Sequence, residues 1–589
     1  MKDSRLVIGL DYGTTYTGVS FCEVSDSSSD RQHIEIVHDW PSRHGKIGTK
    51  EKVPSEVAYL KEGLRWGSDI PPHEKRHMWT KLELDNRGDG EAAKIIGELS
   101  SSPLGPRKPP VEIIADFLAQ IKTHLIKNLD DKYGKELWRT LSITLVITVP
   151  AVWSDVAKYR TMQAVEKAGF NKLEFPQLSM PVLVTTEPEA AAIHTISTLR
   201  GTAQDTKLSV GDGFIVCDMG GGTVDLIAYR VSSLQPTVIE EATVGSGAQC
   251  GGSFVDRAFL QWLERRLGTE DFIKIAGCRS EEIPRTSLTK KAAKLLQDFT
   301  MEVKTGFSGT QTNYLLLPNP LSAIDDDEKR GISDGELTIT AEDTRSMFEK
   351  CIFHTYELIQ EQLQRARKSE VEIKYVFLVG GFSESPYMFA KIKSFVEMRD
   401  IKAIRPSYAW SAVARGAAAK GLEGGNNAIL KRKSRRHYGT DCTEKFSRRT
   451  HKKVDMYCDK YTGEKRAENQ MEWLIEKGQD LHASEATHAA AEILSTFWVG
   501  EERTTHWDLL SCDADVAPQR SVEESIYQVA TLIVDLSDVP EEDTELETSA
   551  SGRKYHTINS VVNISLQSTL DFFITVNGKK YGSLTARYE

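Results

Sequence analysis

The chain has 589 residues, with 74 Lys and Arg against 85 Asp and Glu, so its formal net charge is -11. Hydrophobic residues make up 40% of it, which is enough for packed cores and excludes a wholly disordered protein. The acidic balance argues against a general nucleic-acid binder, which needs a basic face. Eight cysteines without any Cys-x-x-Cys spacing argue against a disulfide scaffold or a Cys-rich zinc module, and favour a reducing compartment.

No segment predicts export or membrane insertion. The N-terminal apolar run is too short for a signal peptide. The most apolar long stretch, 141–153, falls short of the roughly 20 residues that a membrane-spanning helix needs. We therefore expect a soluble, cytoplasmic protein.

The N-terminal region predicts a β-hairpin and then a helix. An apolar strand at 6–10 leads into the turn Asp11-Tyr-Gly-Thr-Thr15, and 17–24 alternates like a returning strand. Residues 25–110 are polar and irregular, whereas apolar spacing predicts a helix over 111–129.

The same arrangement recurs further along the chain. A buried strand is predicted over 141–149 and a helix over 155–168, with Ser154 as its N-cap. A second hairpin then spans 214–229, with Asp218-Met-Gly-Gly-Gly-Thr223 at its tip. Because an Asp-led, Gly/Thr-tipped hairpin occurs twice, we expect two related halves, and the interleaved helices predict an α/β fold.

A third glycine motif, Gly380-Gly381, follows a predicted strand at 375–379 and precedes a predicted helix over 386–398. An Ala-rich helix over 409–422 comes next, and Gly424-Gly-Asn-Asn427 breaks the chain. The predicted domains are 1–425, with lobes of roughly 1–205 and 206–425, and 426–589.

The C-terminal domain predicts a small, mainly β module with a helical interruption around 483–496. Asn577-Gly578 predicts a hairpin turn. A basic run at 431–453 has three interpretations: a solvated linker or strand, a nuclear-localisation signal, or a surface for an acidic partner. The predicted strands are 529–536, 561–567 and 570–576.

The two hairpin tips have the chemistry of a phosphate site. Glycines let backbone N–H groups approach closely, and Thr hydroxyls add small donors. Two such tips could hold one triphosphate between them, although each alone is compatible with an ordinary turn. Asp11 and Asp218 would repel phosphates unless Mg²⁺ lies between, so we predict that these two carboxylates hold Mg²⁺ through water.

Five segments, in this order, resemble motifs of the 70-kDa heat-shock chaperone family. The pattern is most similar to the divergent member-12-like branch, and we expect a fungal source. The segments are the first phosphate loop at Ile8–Thr17, Val146–Ala151, Thr186–Ile193, the second phosphate loop at Asp218–Asp225 and the adenosine loop at Phe377–Pro386.

This resemblance implies an actin-like ATPase fold, with two RNase H-like lobes and ATP or ADP in the cleft. It implies catalytic roles for Glu187, which would orient the attacking water, for Lys81, which would reach the γ-phosphate, and for Asp11, Asp218 and Thr223. The implied nucleotide-binding residues are Gly13, Thr14, Thr15, Gly220, Gly221, Gly222, Gly251, Gly252, Lys304, Ser308, Gly380 and Gly381. Other interpretations stay open: Lys81 as a solvated lysine, Glu187 as a helix cap and Asp225 as a tie within its hairpin.

The chain departs from the family pattern on the adenosine side. Glu384 stands where the family has an Arg that stacks on the base, and a carboxylate cannot supply that cation–π contact. Met301 and Thr305 stand where a Glu and an Arg are usual. The C-terminal part lacks the family's Leu-rich acidic linker and lid helices, so we expect a reduced substrate domain beside an intact phosphate site.

Three functions are compatible with these features. The first is a slow, Mg-dependent, chaperone-like ATPase that couples lobe closure to a C-terminal interaction module. The second is a nucleotide-dependent interaction or scaffold protein with little or no hydrolysis, and the third is a small-molecule kinase of the same fold. Expected partners are nucleotide, client polypeptides and co-chaperone-like proteins, but neither nucleic acid nor membrane; the expected location is the cytoplasm or the nucleus.

Overall fold

The computed structural model divides the chain into two compact units, Met1–Ala428 and Ile429–Glu589. The predicted domain boundary at 424–427 and the predicted lobe boundary near 205 lie outside the described residues. The structure describes residues 4–24, 33–42, 50–85, 90–100, 107–180, 182–199, 208–234, 237–422, 429–483, 485, 487–549, 551–566, 570–581 and 584–588.

The first half of the N-terminal unit is a β-sheet with helices. Its elements are β1 (Arg5–Tyr12), β2 (Tyr16–Val24), β3 (Glu35–Ile36), β4 (Val53–Pro54), β5 (Val57–Leu60), β6 (Gly63–Trp66), α1 (Thr80–Glu83), α2 (Gly90–Ser100), α3 (Pro110–Tyr133), β7 (Ser142–Val149), α4 (Asp155–Lys167), β8 (Leu183–Thr186) and α5 (Glu187–Leu199). The sheet order is β3-β2-β1-β7-β8; β1 and β2 are antiparallel, whereas β7 and β8 continue the sheet in parallel.

The second half repeats this plan. Its elements are β9 (Gly213–Met219), β10 (Val224–Leu234), β11 (Thr237–Glu241), β12 (Ser246–Ala248), α6 (Ser253–Leu267), α7 (Thr269–Ala276), α8 (Lys290–Asp298), β13 (Asn313–Leu316), β14 (Ile332–Ser333), β15 (Glu336–Ile339), α9 (Ala341–Lys368), β16 (Ile373–Val379), α10 (Pro386–Glu397), β17 (Lys402–Ile404) and α11 (Ala412–Leu422). Its sheet includes the order β11-β10-β9-β16-β17, with β9 and β10 antiparallel and β16 parallel to β9. The two halves therefore share one strand order, and the predicted duplicated α/β fold is confirmed.

Most predicted elements of this unit form close to their predicted bounds, including α3, β7, α4 and α10. Ser154 caps α4, because its side chain accepts a hydrogen bond from the N–H of Ala157. The interpretation of 25–110 as irregular was incomplete, since β5, β6 and α2 form there. Among the described residues, no helix is both long enough and apolar enough to span a membrane.

Helices α5 and α11 cross in close contact, and this crossing positions the start of α5. A Cβ on Gly416 would lie 1.8 Å from the carbonyl oxygen of Ala190, so only glycine allows this approach. On the other side of α11, the hydroxyl of Ser20 donates to the carbonyl of Ala414 at 2.7 Å. Helix α11 therefore packs between α5 and the first sheet.

The C-terminal unit contains two antiparallel sheets that share one hydrophobic core. Its strands are β18 (Ile429–Lys433), β19 (His437–Lys445), β20 (Met456–Cys458), β21 (Lys465–Ile475), β22 (Asp480–His482), β23 (Ala489–Trp498), β24 (Thr504–Cys512), β25 (Ile526–Asp535), β26 (Glu545–Thr548), β27 (Lys554–Leu566), β28 (Leu570–Val576), β29 (Lys579–Lys580) and β30 (Leu584–Tyr588). One sheet runs β20-β21-β19-β24-β25-β30 and the other β23-β27-β28-β29, with β26 beside β27. The two-residue turn at Asn577-Gly578 is confirmed: both residues have positive φ, and Val576 pairs with Lys579.

The predicted helical interruption around 483–496 was wrong. Ala489–Trp498 is a strand that pairs with β27 along its whole length. Its alanines favour a helix by intrinsic propensity, but alternate residues such as Ala491 are buried in the core, and this packing overrides the propensity. In the basic run, Lys431 and Lys433 both form ion pairs with Asp480, so this part of the run is a paired strand.

Candidate active site

The two Gly/Thr tips meet face to face in the N-terminal unit. Gly13–Thr15 connects β1 to β2, and Gly220–Thr223 connects β9 to β10. A Cβ on Gly221 would lie 2.5 Å from Oγ1 of Thr15, so the loops are in direct contact. They border a cavity of about 840 Å³.

The cavity brings together most of the predicted site residues. Two are not brought to it: Gly251 packs behind the second tip, with its N–H donating to the carbonyl of Gly222 at 3.2 Å, and Ser308 is exposed and hydrogen-bonded to Gln311. The predicted residues that line it are Asp11, Gly13, Thr14, Thr15, Lys81, Glu187, Asp218, Gly220, Gly221, Gly222, Thr223, Gly252, Lys304, Gly380 and Gly381.

Glu187 and Lys81 form an ion pair inside the cavity. Glu187 is the first residue of α5, and the ammonium of Lys81 donates to its Oε1. Lys81 is only 2% exposed, so it is not the solvated surface lysine of the alternative interpretation. Burial raises the pKa of Glu187 above its usual range, although Lys81 opposes this.

Lys52 is a site residue that sequence reasoning missed. Its ammonium lies 2.6 Å from Oδ2 of Asp11, and the hydroxyl of Thr148 donates to Oδ1 of Asp11 at 3.0 Å. Burial alone would lower the pKa of Lys52, but the Asp11 carboxylate outweighs burial and raises it. No local pattern separates Lys52 from the neighbouring Lys50, so only the fold identifies it.

The second tip adds two carboxylates. Burial, and then the charge of Glu187, raise the pKa of Asp218 to about 7. Asp225 lies opposite Asp218 in the hairpin register and accepts a hydrogen bond from the hydroxyl of Thr223 at 2.8 Å. With Asp11 and Glu187 this makes four carboxylates facing two lysines, a surplus of two negative charges when all are ionised.

This surplus fits a divalent cation. Asp11 and Asp218 come from opposite tips and both line the cavity; Asp11 is buried and Asp218 is half-buried. Among the described residues there is no group of three or more His, Cys, Asp or Glu placed to ligate a metal directly. A magnesium ion here would therefore be held mainly through water, as predicted for an ion that keeps much of its hydration shell.

The far end of the cavity is built from the second half. Lys304, at the end of a π-helical turn that continues α8, donates to the carbonyl of Gly252 and pairs with Asp256, each at 2.7 Å. Gly380 has φ +82°, and a Cβ there would lie 2.4 Å from Oδ1 of Asp218, so this position requires glycine. Glu384 lines the cavity where the family pattern predicted an Arg.

Arg285, at the rim of the cavity, binds two carboxylates of α2. Its Nε pairs with Oε2 of Glu91 at 2.9 Å, and its backbone N–H donates to Oε2 of Glu98 at 2.8 Å. Two backbone hydrogen bonds continue the contact: Arg76 N–H to the carbonyl of Thr286, and Leu288 N–H to that of Pro72. These contacts connect the two halves across the cavity.

Comparisons with known proteins find two matching family models. The family model described as "Hsp70 protein" matches residues 103–429, and one described as "Domain of unknown function (DUF8568)" matches 432–581. Heat shock 70 kDa protein 12A of Homo sapiens is 24% identical over 521 residues, which cover 75% of this chain and 72% of that protein. Heat shock 70 kDa protein 12B of Homo sapiens is 24% identical over 516 residues, with the same shares.

A bacterial relative matches a shorter part. The chaperone protein HscA homolog of Acinetobacter baylyi is 26% identical over 281 residues, which cover 46% of this chain and 39% of that protein. The relatives named here are mammalian and bacterial, so the expected fungal source stays an expectation.

Proposed function

Because the chain belongs to the Hsp70 family, we propose that its N-terminal unit binds ATP with Mg²⁺ and slowly hydrolyses it to ADP and phosphate. The observation that carries this proposal is the convergence of both Gly/Thr tips, Asp11, Asp218 and the Lys81–Glu187 pair on one cavity.

In this proposal the chain supplies mainly positioning and charge neutralisation, which dominate phosphoryl transfer. Glu187 holds the attacking water, because its carboxylate is an acceptor fixed at the start of α5 by Lys81. The tips present N–H groups and Thr hydroxyls to the phosphates, and Lys81 neutralises the terminal one. Mg²⁺, held through water by Asp11 and Asp218, would neutralise the rest of the phosphate charge.

We further propose that lobe closure on ATP is coupled to the C-terminal unit, which would bind client polypeptides or co-chaperone-like proteins, in the cytoplasm or alternatively in the nucleus. Relatives named as heat-shock and chaperone proteins support this. Hydrogen exchange of residues 429–589 with and without ATP tests the coupling. Protection that does not change with ATP would contradict it.

A second candidate is a nucleotide-dependent interaction protein with little hydrolysis. The altered far end of the cavity favours it, because Glu384, Met301 and Thr305 stand where the hydrolysing members of the family have other residues. The Lys81–Glu187 pair favours the ATPase. The two differ in whether bound ATP is cleaved.

Single-turnover hydrolysis of ATP with Mg²⁺ tests the proposal. We expect slow hydrolysis by the wild type and at least a tenfold drop, about 1.4 kcal/mol of barrier, in Glu187→Ala and in Thr223→Ala. The control is Glu270→Ala, an exposed carboxylate on α7 that should leave the rate unchanged. Binding without cleavage would support the second candidate, and rates that neither site variant changes would contradict the site assignment.

A further inference from the structure

Trp410 lies at the end of the cavity where the family pattern is altered. Its ring edge packs against Gly381, so that a Cβ there would lie 2.9 Å from Trp410 Cδ1. Its backbone N–H donates to Oε1 of Glu384 at 3.3 Å. Tyr16, the residue after the first tip, meets the indole edge-to-face, with ring centroids 5.6 Å apart and planes at 79°.

Both rings line the cavity and neither is fully covered. Trp410 is half-buried and Tyr16 is 37% exposed. An indole face that is open inside a cavity can stack on a flat ligand, and every nucleobase presents such a face. Tyr16 follows the first tip directly and Trp410 packs on Gly381, so the two rings lie between the phosphate-binding tip and the altered end of the cavity.

The arginines near this end have other partners. Arg405 donates to the carbonyls of Ser383 and Glu384, and its guanidinium lies 4.5 Å from the ring centroid of Phe389. At the rim, Arg76 pairs with Glu56, and Arg285 is bound to Glu91 of α2. Arg257 also lines the cavity, on this rim side, where its charge interacts with those of Arg285, Glu91 and Glu98. The indole is thus better placed than these guanidinium groups to cover a base beside Gly381.

We propose that Trp410 is the stacking platform for the nucleotide base, and that Tyr16 fixes the orientation of the indole. Glu384 then holds the platform through the backbone N–H of Trp410 rather than contacting the base. This inference rests on the proposed function and goes beyond it by naming the residue that binds the base and the way it does so.

The test compares a ligand that has a base with one that lacks it. Binding of ATP and of inorganic tripolyphosphate, both with Mg²⁺, is measured by titration calorimetry for wild type, Trp410→Ala and Trp410→Phe. The matched control is Tyr408→Ala, an exposed aromatic two positions earlier that packs against Arg415. Intrinsic tryptophan fluorescence is followed in parallel.

We expect Trp410→Ala to raise the Kd of ATP at least about fivefold, in line with base–aromatic stacking, and to leave tripolyphosphate binding unchanged. Trp410→Phe should keep most of the ATP affinity. ATP should change the fluorescence of the wild type more than tripolyphosphate does, and Trp410→Phe should remove this difference. The part of the response that both ligands share is expected from Trp79, which lines the cavity beside Gly222.

Three results would overturn the inference. If Trp410→Ala binds ATP as tightly as wild type, the platform assignment fails while the proposed function stands. If Trp410→Ala weakens both ligands equally, Trp410 acts on the fold of the site rather than on the base. If the wild type binds neither ligand, the proposed function fails and this inference fails with it.

Discussion

The ammonium group of Lys52 lies 2.6 Å from a carboxylate oxygen of Asp11, and both side chains are buried. Gly18 makes room for the lysine stem, since a Cβ at Gly18 would lie 3.1 Å from Lys52 Cγ. The carboxylate that we expect to hold Mg²⁺ thus has a fixed cation from its own chain beside it. The site is partly neutralised before any ligand binds.

Lys52→Met should therefore destabilise the N-terminal unit by about 3 kcal/mol, because it leaves the Asp11 carboxylate buried without its cation. Calorimetric unfolding without nucleotide or Mg²⁺ measures this, and Lys52→Met/Asp11→Asn should recover much of the loss. The control is Lys50→Met, at a half-buried lysine two positions away. An unfolding temperature unchanged by Lys52→Met would contradict the ion pair.

The ion pair between Arg285 and Glu91 at the rim of the cavity predicts an effect on nucleotide release. Arg285→Ala removes the ion pair to Glu91, and we expect labelled ADP to leave about three- to tenfold faster in stopped-flow displacement, since a partly buried pair contributes on the order of 1 kcal/mol. Lys94→Ala is the control, because Lys94 pairs with the same Glu91 from within α2 and does not cross the cavity. Equal release rates in wild type and Arg285→Ala would show that the rim does not limit exit.

Glu91 also predicts a pH dependence. Burial alone would raise the pKa of Glu91, but Arg285 and Lys94 outweigh it and lower the pKa from 4.5 to about 2. A carboxyl whose pKa is lower in the folded state stabilises the fold above its unfolded pKa, and this stabilisation is lost as the pH falls through the folded pKa. Wild type should therefore be more stable than Glu91→Gln at pH 5, and the difference should shrink as the pH falls towards 2.

The measurement is denaturant unfolding of wild type and Glu91→Gln at several pH values in that window. The control is Glu270→Gln, at an exposed carboxyl on α7. If the stability difference between wild type and Glu91→Gln stays constant from pH 5 to pH 2, the ionised Glu91 carboxylate does not stabilise the fold.

Burial alternates along β23, so two neighbouring alanines of this strand provide a matched pair of substitutions. Ala491 is 1% exposed in the core of the C-terminal unit, whereas its neighbour Ala490 is exposed. Ala491→Glu should destabilise the unit by at least about 3 kcal/mol or prevent folding, because it buries an unpaired charge. Ala490→Glu should change stability by less than about 0.5 kcal/mol in the same thermal unfolding experiment. Similar effects of both substitutions would contradict the strand.

Local sequence patterns predicted the two β-hairpins that carry the Gly/Thr tips. The tips at Asp11–Thr15 and Asp218–Thr223 were identifiable because a strand, a Gly/Thr turn and a returning strand are all encoded within about 20 residues. The same kind of argument failed at β23, where the burial of Ala491 depends on pairing with β27, far along the chain. Local propensity could not reveal that pairing.

The missed site residues share one property, which is that their partners are distant in sequence. Lys52 finds Asp11 through the pairing of β4 with β2, and Arg285 finds Glu91 only when the two halves meet. Trp410 reaches the cavity because the turn before α11 returns to Gly381. None of these residues belongs to a motif that single-sequence reasoning can weigh.

The most direct test of the central claim measures bound ATP and released phosphate in the same sample, for wild type and Glu187→Gln. The isosteric amide keeps the shape of the site but cannot accept a proton or orient water as the carboxylate does. We predict ATP affinity within about threefold of wild type and phosphate release slowed at least about tenfold, so that the variant accumulates bound ATP. Phosphate release at the wild-type rate from Glu187→Gln would contradict the account.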